Sequence, residues 1–202
     1  MRPANSMVRC VSHPEPRRDD PRRNALLILI AIVLLMWVTE VVDVALDHRL
    51  DRYGIEPRDP DGLEGVVAAP FLHAGFGHLL ANTIPLVTMG FVIALEGARR
   101  LIAVTVIVGL ISGLGTWLVA ASGTVHIGAS GIVFGYATYL IARGIFNRRG
   151  AELAVGVLVV VVWGGALLGG LEPQRGISWQ GHLFGAVGGV VAAAALARRE
   201  RP

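Results

Sequence analysis

Three short stretches hold side chains able to do chemistry. "HIGASGIVFGY" (126–136) carries Ser130 among glycines, "HAGFGHLLAN" (73–82) carries His73, His78 and Asn82, and "WQGHLFG" (179–185) carries His182. A serine hydroxyl is a weak nucleophile near neutral pH and needs an adjacent base, which an imidazole supplies. His182, Gly185 and Gly189 recur at i, i+3 and i+7 and share one helix face. Gly181 extends that row, and Gly131 and Gly135 offer a small pair on the Ser130 segment. Glycines so spaced let two helices cross closely, which would bring His182 to Ser130. His78 and Asn82 stand one above the other at i and i+4, and both donate hydrogen bonds. A tetrahedral acyl-transfer intermediate needs donors at its oxyanion, each worth roughly 3 kcal/mol. The Ser130 backbone N–H can join them, because a first-turn amide has no intrahelical partner and sits at the positive end of the helix dipole. His73 precedes its helix across Gly75 and Gly77, and the pattern gives it no defined role.

Other readings of these residues fit less well. Three histidines (His73, His78, His182) can bind catalytic zinc, but H-E-x-x-H is absent and Asn82 and Ser130 would have no purpose. A zinc site on these three histidines is therefore not expected. "GASGI" is not G-x-S-x-G, and no strand precedes it as a nucleophile elbow requires. His126 lies four residues before Ser130 and is a second candidate base. It is set apart by Gly128, which lets the chain turn, so His182 is preferred.

These residues must be positioned by helices in a membrane. The chain has 202 residues, 53% hydrophobic and only 16% charged, against about 25% charged in soluble domains. Six apolar runs are predicted as spans: 24–46, 77–95, 101–121, 128–146, 152–168 and 179–197. About 20 apolar residues cross a bilayer; the fourth and fifth runs are marginal. Residues 1–23 read as a disordered tail, 24–197 as one membrane domain, and 198–202 as a short tail. The first run has a basic flank but no A-x-A-like cleavage site after it, so it is read as a retained span. The lone cysteine, Cys10, cannot form an internal disulfide.

All 18 basic residues are arginine, and the net charge is +3. They cluster at the edges of the runs: Arg17, Arg18, Arg22 and Arg23; Arg99 and Arg100; Arg143, Arg148 and Arg149; Arg198, Arg199 and Arg201. With six spans all four clusters fall on one side, which the positive-inside rule makes cytoplasmic. Both termini are then cytoplasmic in a multi-pass cell-membrane protein, and the basic character reflects topology rather than nucleic-acid binding. The second, fourth and sixth runs all start outside, so the three polar stretches meet at one depth. Glu40 and Asp43 share a face near the outer end of the first run and read as interfacial anchors or loop partners.

"HAGFGHLLAN", "GASG" and "GHLFGAVGG", in this order on six spans, resemble the rhomboid intramembrane serine proteases. The resemblance implies a six-helix all-α membrane bundle and a Ser–His dyad without a third carboxylate, working with no metal and no cofactor. Ser130 would be the nucleophile and His182 the base, with His78, Asn82 and the Ser130 amide as the oxyanion hole. It further implies transmembrane protein substrates, met in the lipid bilayer and cleaved near the outer end of a helix. Supporting positions would be Gly128, Gly131, Gly185, His73 and Phe134, the last standing where the family often has a tyrosine. The first external loop, "YGIEPRDPDGLEG", lacks the family's frequent Trp-Arg pair. The alternatives are a non-catalytic relative that binds transmembrane clients, or a small transporter. A transporter would more naturally show an internal repeat with paired broken helices, and none is visible.

Overall fold

The computed structural model describes residues 20–174 and 176–197; Cys10, Arg17, Arg18, Arg198, Arg199 and Arg201, and both expected tails apart from residues 20–23, lie outside them. Among the described residues there are seven α-helices and no strand. They are α1 (Pro21–Ala45), α2 (Gly65–Ala68), α3 (Phe76–Ala94), α4 (Ala98–Val119), α5 (Ser130–Asn147), α6 (Gly150–Gly170) and α7 (Trp179–Ala195). Each of the six predicted runs has its helix, with ends shifted by a few residues. The first begins at Pro21 rather than Asn24. Proline at N1 is preorganised for a helix start, and the Asp20 carboxylate caps the end by accepting from Arg22 N at 2.9 Å. α2 and three 3-10 turns lie within the long loop after α1, where apolar periodicity gives no signal.

α7 packs between α4 and α5, α6 lies against α5, and α1 packs on α3. Leu101, Val104 and Val108 of α4, Tyr136, Ala137 and Leu140 of α5, and Ala192 and Ala193 of α7 form the buried centre with Leu79, Leu86 and Ile93 of α3. The outside is also apolar. Leu27, Ile30, Leu34 and Val38 of α1 and Val157, Leu158, Val161 and Leu168 of α6 are exposed. Four helices, α1, α3, α4 and α6, are long and apolar enough to cross a membrane. α5 and α7 have 18 and 17 residues.

Two ends of the bundle differ in chemistry. At one, Arg143 of α5, buried in the last turns of its helix, bridges Glu96 and faces Glu152, while Arg100 pairs with Glu96 and donates to Leu196 O at 2.7 Å. Arg148 ends α5 in a left-handed conformation (φ 51°), and Arg149 follows as the N-cap of α6. The other end gathers the N-termini of α3, α5 and α7.

Candidate active site

At that second end, the backbone is set before the side chains. Gly128 has φ 111°, and a methyl there would meet His78 Cε1 at 2.7 Å and Nε2 at 2.8 Å. Only glycine both adopts this conformation readily and leaves room for the His78 ring. The segment entering α5 is tied down by the loop after α1. Ile55 and His126 exchange both backbone hydrogen bonds (2.9 and 3.0 Å), and Gly128 N donates to Ala69 O at 2.8 Å. That loop is itself fastened to the end of α4. The Arg58 guanidinium donates to Leu118 O, Ala120 O and Ser122 Oγ (3.1, 2.7 and 2.6 Å), and Trp117 Nε1 donates to Asp59 O at 2.8 Å. An arginine and a tryptophan thus secure the loop from separate parts of the chain. Cations at helix C-termini satisfy orphan carbonyls and oppose the dipole.

α5 and α7 then cross on glycines. A methyl on Gly185 would overlap the Gly131 carbonyl, and one on Gly189 would overlap that of Gly135. A methyl on Gly131 would overlap the Ser112 hydroxyl, which donates to Gly181 O at 2.8 Å. Ser112 of α4 therefore clamps the start of α7. Sequence reasoning missed it, although a serine beside Gly113 and Gly115 inside an apolar run was a legible sign of a close contact.

The crossing sets Ser130 Oγ and His182 Nε2 2.8 Å apart. His182 Nδ1 lies 2.6 Å from Gly170 O, the last residue of α6. A carbonyl only accepts, so Nδ1 carries the proton and Nε2 presents its lone pair to the Ser130 hydroxyl. Phe134 stacks on the imidazole, with ring centres 4.2 Å apart and planes 6° from parallel. Gly170 was another omission. A methyl there would meet Phe134 Cζ at 2.7 Å and His182 Nδ1 at 3.0 Å.

His78, Asn82, Ser130 and His182 line one cavity of about 860 Å³. Ala74 N donates to His78 Nδ1 at 3.4 Å, which leaves Nε2 as the N–H in the neutral ring. Asn82 is 5% exposed, and its Nδ2 has no hydrogen-bond partner. His73, fully buried, accepts from Ala129 N at 3.4 Å and meets the His78 ring edge-on at 5.1 Å. Burial, then His78, pushes His73 down to about 4, so it stays neutral at physiological pH. His126 also lines the cavity, but its ring contacts Ser178 Oγ at 2.8 Å and Thr124 Oγ1 at 2.9 Å rather than Ser130. Ser178 in turn caps α7 by accepting from Gly181 N.

The Rhomboid domain matches residues 61–199, more than half of the chain. The chain belongs to the rhomboid family. With four helices long and apolar enough to cross a bilayer, this rhomboid is a membrane protein. It is 46% identical over 181 residues to an uncharacterized protein of Mycobacterium tuberculosis, covering 86% of this chain and 75% of that one. A Mycobacterium leprae protein, also uncharacterized, is 43% identical over the same length, covering 86% and 72%. A Bacillus subtilis protein named "Putative rhomboid protease YdcA" is 32% identical over 122 residues, covering 58% of this chain and 59% of its own.

Proposed function

We propose that this rhomboid is a serine endopeptidase that cuts transmembrane protein substrates, with Ser130 as nucleophile and His182 as base. The observation that carries the reading is the 2.8 Å contact between Ser130 Oγ and His182 Nε2 at the wall of a cavity. A nucleophile and its base must be within about 2.6–3.2 Å.

Ser130 Oγ attacks the substrate carbonyl carbon as its proton passes to His182 Nε2. The carbonyl π bond breaks and its oxygen becomes an oxyanion. His78 Nε2–H, Asn82 Nδ2–H and the Ser130 amide donate to that oxygen. Collapse of the intermediate breaks the C–N bond, and His182 returns its proton to the leaving amine. A water then attacks the acyl ester, giving its proton to His182, and the Ser130 oxygen leaves by taking it back. Gly170 O, at the negative end of α6, fixes the His182 tautomer by accepting from Nδ1 and stabilises the transient imidazolium. Phe134 limits ring rotation by stacking.

In this reading all six long helices span the bilayer, and both termini face the cytoplasm. The arginine-rich end of the bundle is then cytoplasmic, and the cavity opens on the opposite side. A substrate helix must unwind locally there, because a helical amide is already hydrogen-bonded.

The test is fluorophosphonate labelling in detergent. Labelling is expected in wild type and His126→Ala, and it is expected to vanish in Ser130→Ala and His182→Ala. Equal labelling of Ser130→Ala and wild type would sink the assignment. A folded wild type that never labels, yet retains bound transmembrane segments, would indicate a binding protein instead.

A further inference from the structure

A second polar cluster lies at the far end of α1 and takes no part in the serine chemistry. Glu40 and Asp43 are three residues apart on α1 and are 0% and 1% exposed. Acids within an apolar helix are costly to bury unless a cation compensates them. Among the described residues no arginine forms an ion pair with Glu40, Asp43 or Asp51; the side-chain contact made there is His48 Nδ1 with Asp43 Oδ2.

The backbone goes to some trouble to assemble this group. Asp47 and His48 both take left-handed conformations (φ 58° and 57°), which are disfavoured for residues with a Cβ. Their effect is to fold the chain back. His48 N reaches Asp43 O at 2.9 Å, and His48 Nδ1 comes to 3.3 Å from Asp43 Oδ2. Leu50 N holds the other Asp43 oxygen at 2.7 Å. The next 3-10 turn, Asp51–Tyr53, brings in Asp51.

One ligand atom each from Asp43, His48 and Asp51 lies within 4.8 Å of the others. Ligands about 2.0–2.2 Å from a metal stand at most about 4.4 Å apart, so small side-chain movements complete the geometry. Glu40 lies beside this trio rather than within it, and it is the independent sign of a ligand. Both its oxygens are buried without a hydrogen-bond partner, as is Asp51 Oδ1. The charged groups acting on Glu40 are Asp43, Asp51 and His48, and the Gly75 backbone amide is turned toward it without reaching hydrogen-bond geometry.

We propose that Glu40, Asp43, His48 and Asp51 bind a divalent transition-metal cation of the zinc or manganese class, using carboxylate oxygens and one imidazole nitrogen. Three carboxylates supply the charge that attracts a dication. The imidazole favours a transition metal over calcium or magnesium, which take oxygen ligands. The ion would tie the end of α1 to the loop that supports the active-site segment and to Gly75, the N-cap of α3. It touches neither Ser130 nor His182, so the inference stands or falls apart from the peptidase reading.

The full chain in detergent, stripped with a chelator and dialysed at pH 7.5, is titrated with Co²⁺ and then with Zn²⁺ in competition. One equivalent per chain is expected, with a ligand-field absorption band that Zn²⁺ bleaches. His48→Ala should lose the band and weaken binding at least tenfold, as should Glu40→Gln. His126→Ala and His182→Ala should keep wild-type binding. The His48 side chain is 48% exposed, so His48→Ala retains the fold and decides the matter even where Glu40→Gln does not. Zn²⁺ should also raise the Tm of wild type but not of His48→Ala. The proposal is overturned if wild type takes up no stoichiometric metal at 100-fold excess, or if His48→Ala binds as wild type does. It is equally overturned if His182→Ala, rather than His48→Ala, abolishes the binding.

Discussion

Replacing Gly185 by alanine tests whether the glycine crossing sets the reaction geometry. The added methyl would stand 2.8 Å from the Gly131 carbonyl carbon and 3.0 Å from its Cα, with the carbonyl oxygen nearer still. Carbon atoms settle at about 3.5–4.0 Å. Both partners are helix backbone, which cannot swing aside as a flexible side chain can, so α5 and α7 must part by about 0.5–1 Å. Ser130 is the residue before Gly131, and His182 is one turn before Gly185. The 2.8 Å contact between them should therefore open to about 3.5 Å, beyond the proton-transfer range. A misplacement near 1 Å can cost about 100-fold in rate, equivalent to about 2.7 kcal/mol in the barrier.

Helix propensity alone predicts the opposite sign for stability, since alanine is favoured over glycine by about 1 kcal/mol in a helix interior. The assay is the rate of fluorophosphonate labelling by folded protein, with circular dichroism to establish the fold. Gly109→Ala serves as the control. It also lies in an apolar helix, but a methyl there meets nothing within 4 Å, and its rate should stay within about twofold of wild type by the same contact argument. A folded Gly185→Ala that labels within about threefold of wild type would refute the geometric reasoning.

Three further outcomes follow from the site. Asn82→Ala should slow cleavage by about 100-fold, the usual consequence of losing one oxyanion donor, while leaving the Ser130–His182 contact intact; unchanged kcat removes Asn82 from the hole. Gly170→Ala should slow labelling at least tenfold, because the methyl crowds both His182 Nδ1 and Phe134, and a wild-type rate would show that the close fit at Gly170 does not hold the base in place. His73 is pushed down to about 4 and titrates near 6.5 when unfolded. Its contribution to stability is therefore complete above about pH 6.5 and is lost as pH falls toward 4, a change of about 3 kcal/mol. Unfolding midpoints at pH 7 and 4.5 should diverge more in wild type than in His73→Gln, and equal divergence in both would count against a buried neutral His73.

Much of this arrangement was legible because the signals were periodic. Long apolar runs located all six long helices. The i, i+3, i+7 row of His182, Gly185 and Gly189 pointed to a close helix crossing. The i, i+4 pair of His78 and Asn82 placed two donors on one face. Other features left no periodic trace. The Gly170 carbonyl is a backbone group, and nothing in a run of glycines identifies which carbonyl will meet an imidazole twelve residues on. Arg58 and Trp117 are 59 residues apart, so their joint hold on the loop exists only after α4 and that loop meet. Glu40 and Asp43 were visible as acids on one face. The approach of Asp43 to His48 and Asp51 depends on two consecutive left-handed residues, Asp47 and His48, whose pairing no apolar period marks.

The identity of the group behind His182 bears on how a dyad could function inside a membrane. A carboxylate at that position would hold the imidazole and stabilise its protonated form, but it would carry a full charge in the resting state. In a low-dielectric site such a charge is costly to bury. The carbonyl of Gly170 has no net charge, so the resting dyad of neutral serine and neutral histidine adds no ion to the bundle. In the proposed reaction the imidazolium would meet the partial negative charge of the α6 C-terminus, while the oxyanion would meet the partial positive charge of the α5 N-terminus. Two helix ends of opposite polarity would thus face the two charges that the proposed mechanism creates. Such stabilisation would be greatest when those charges exist and small before they appear, which is the condition for raising a rate rather than merely tightening binding.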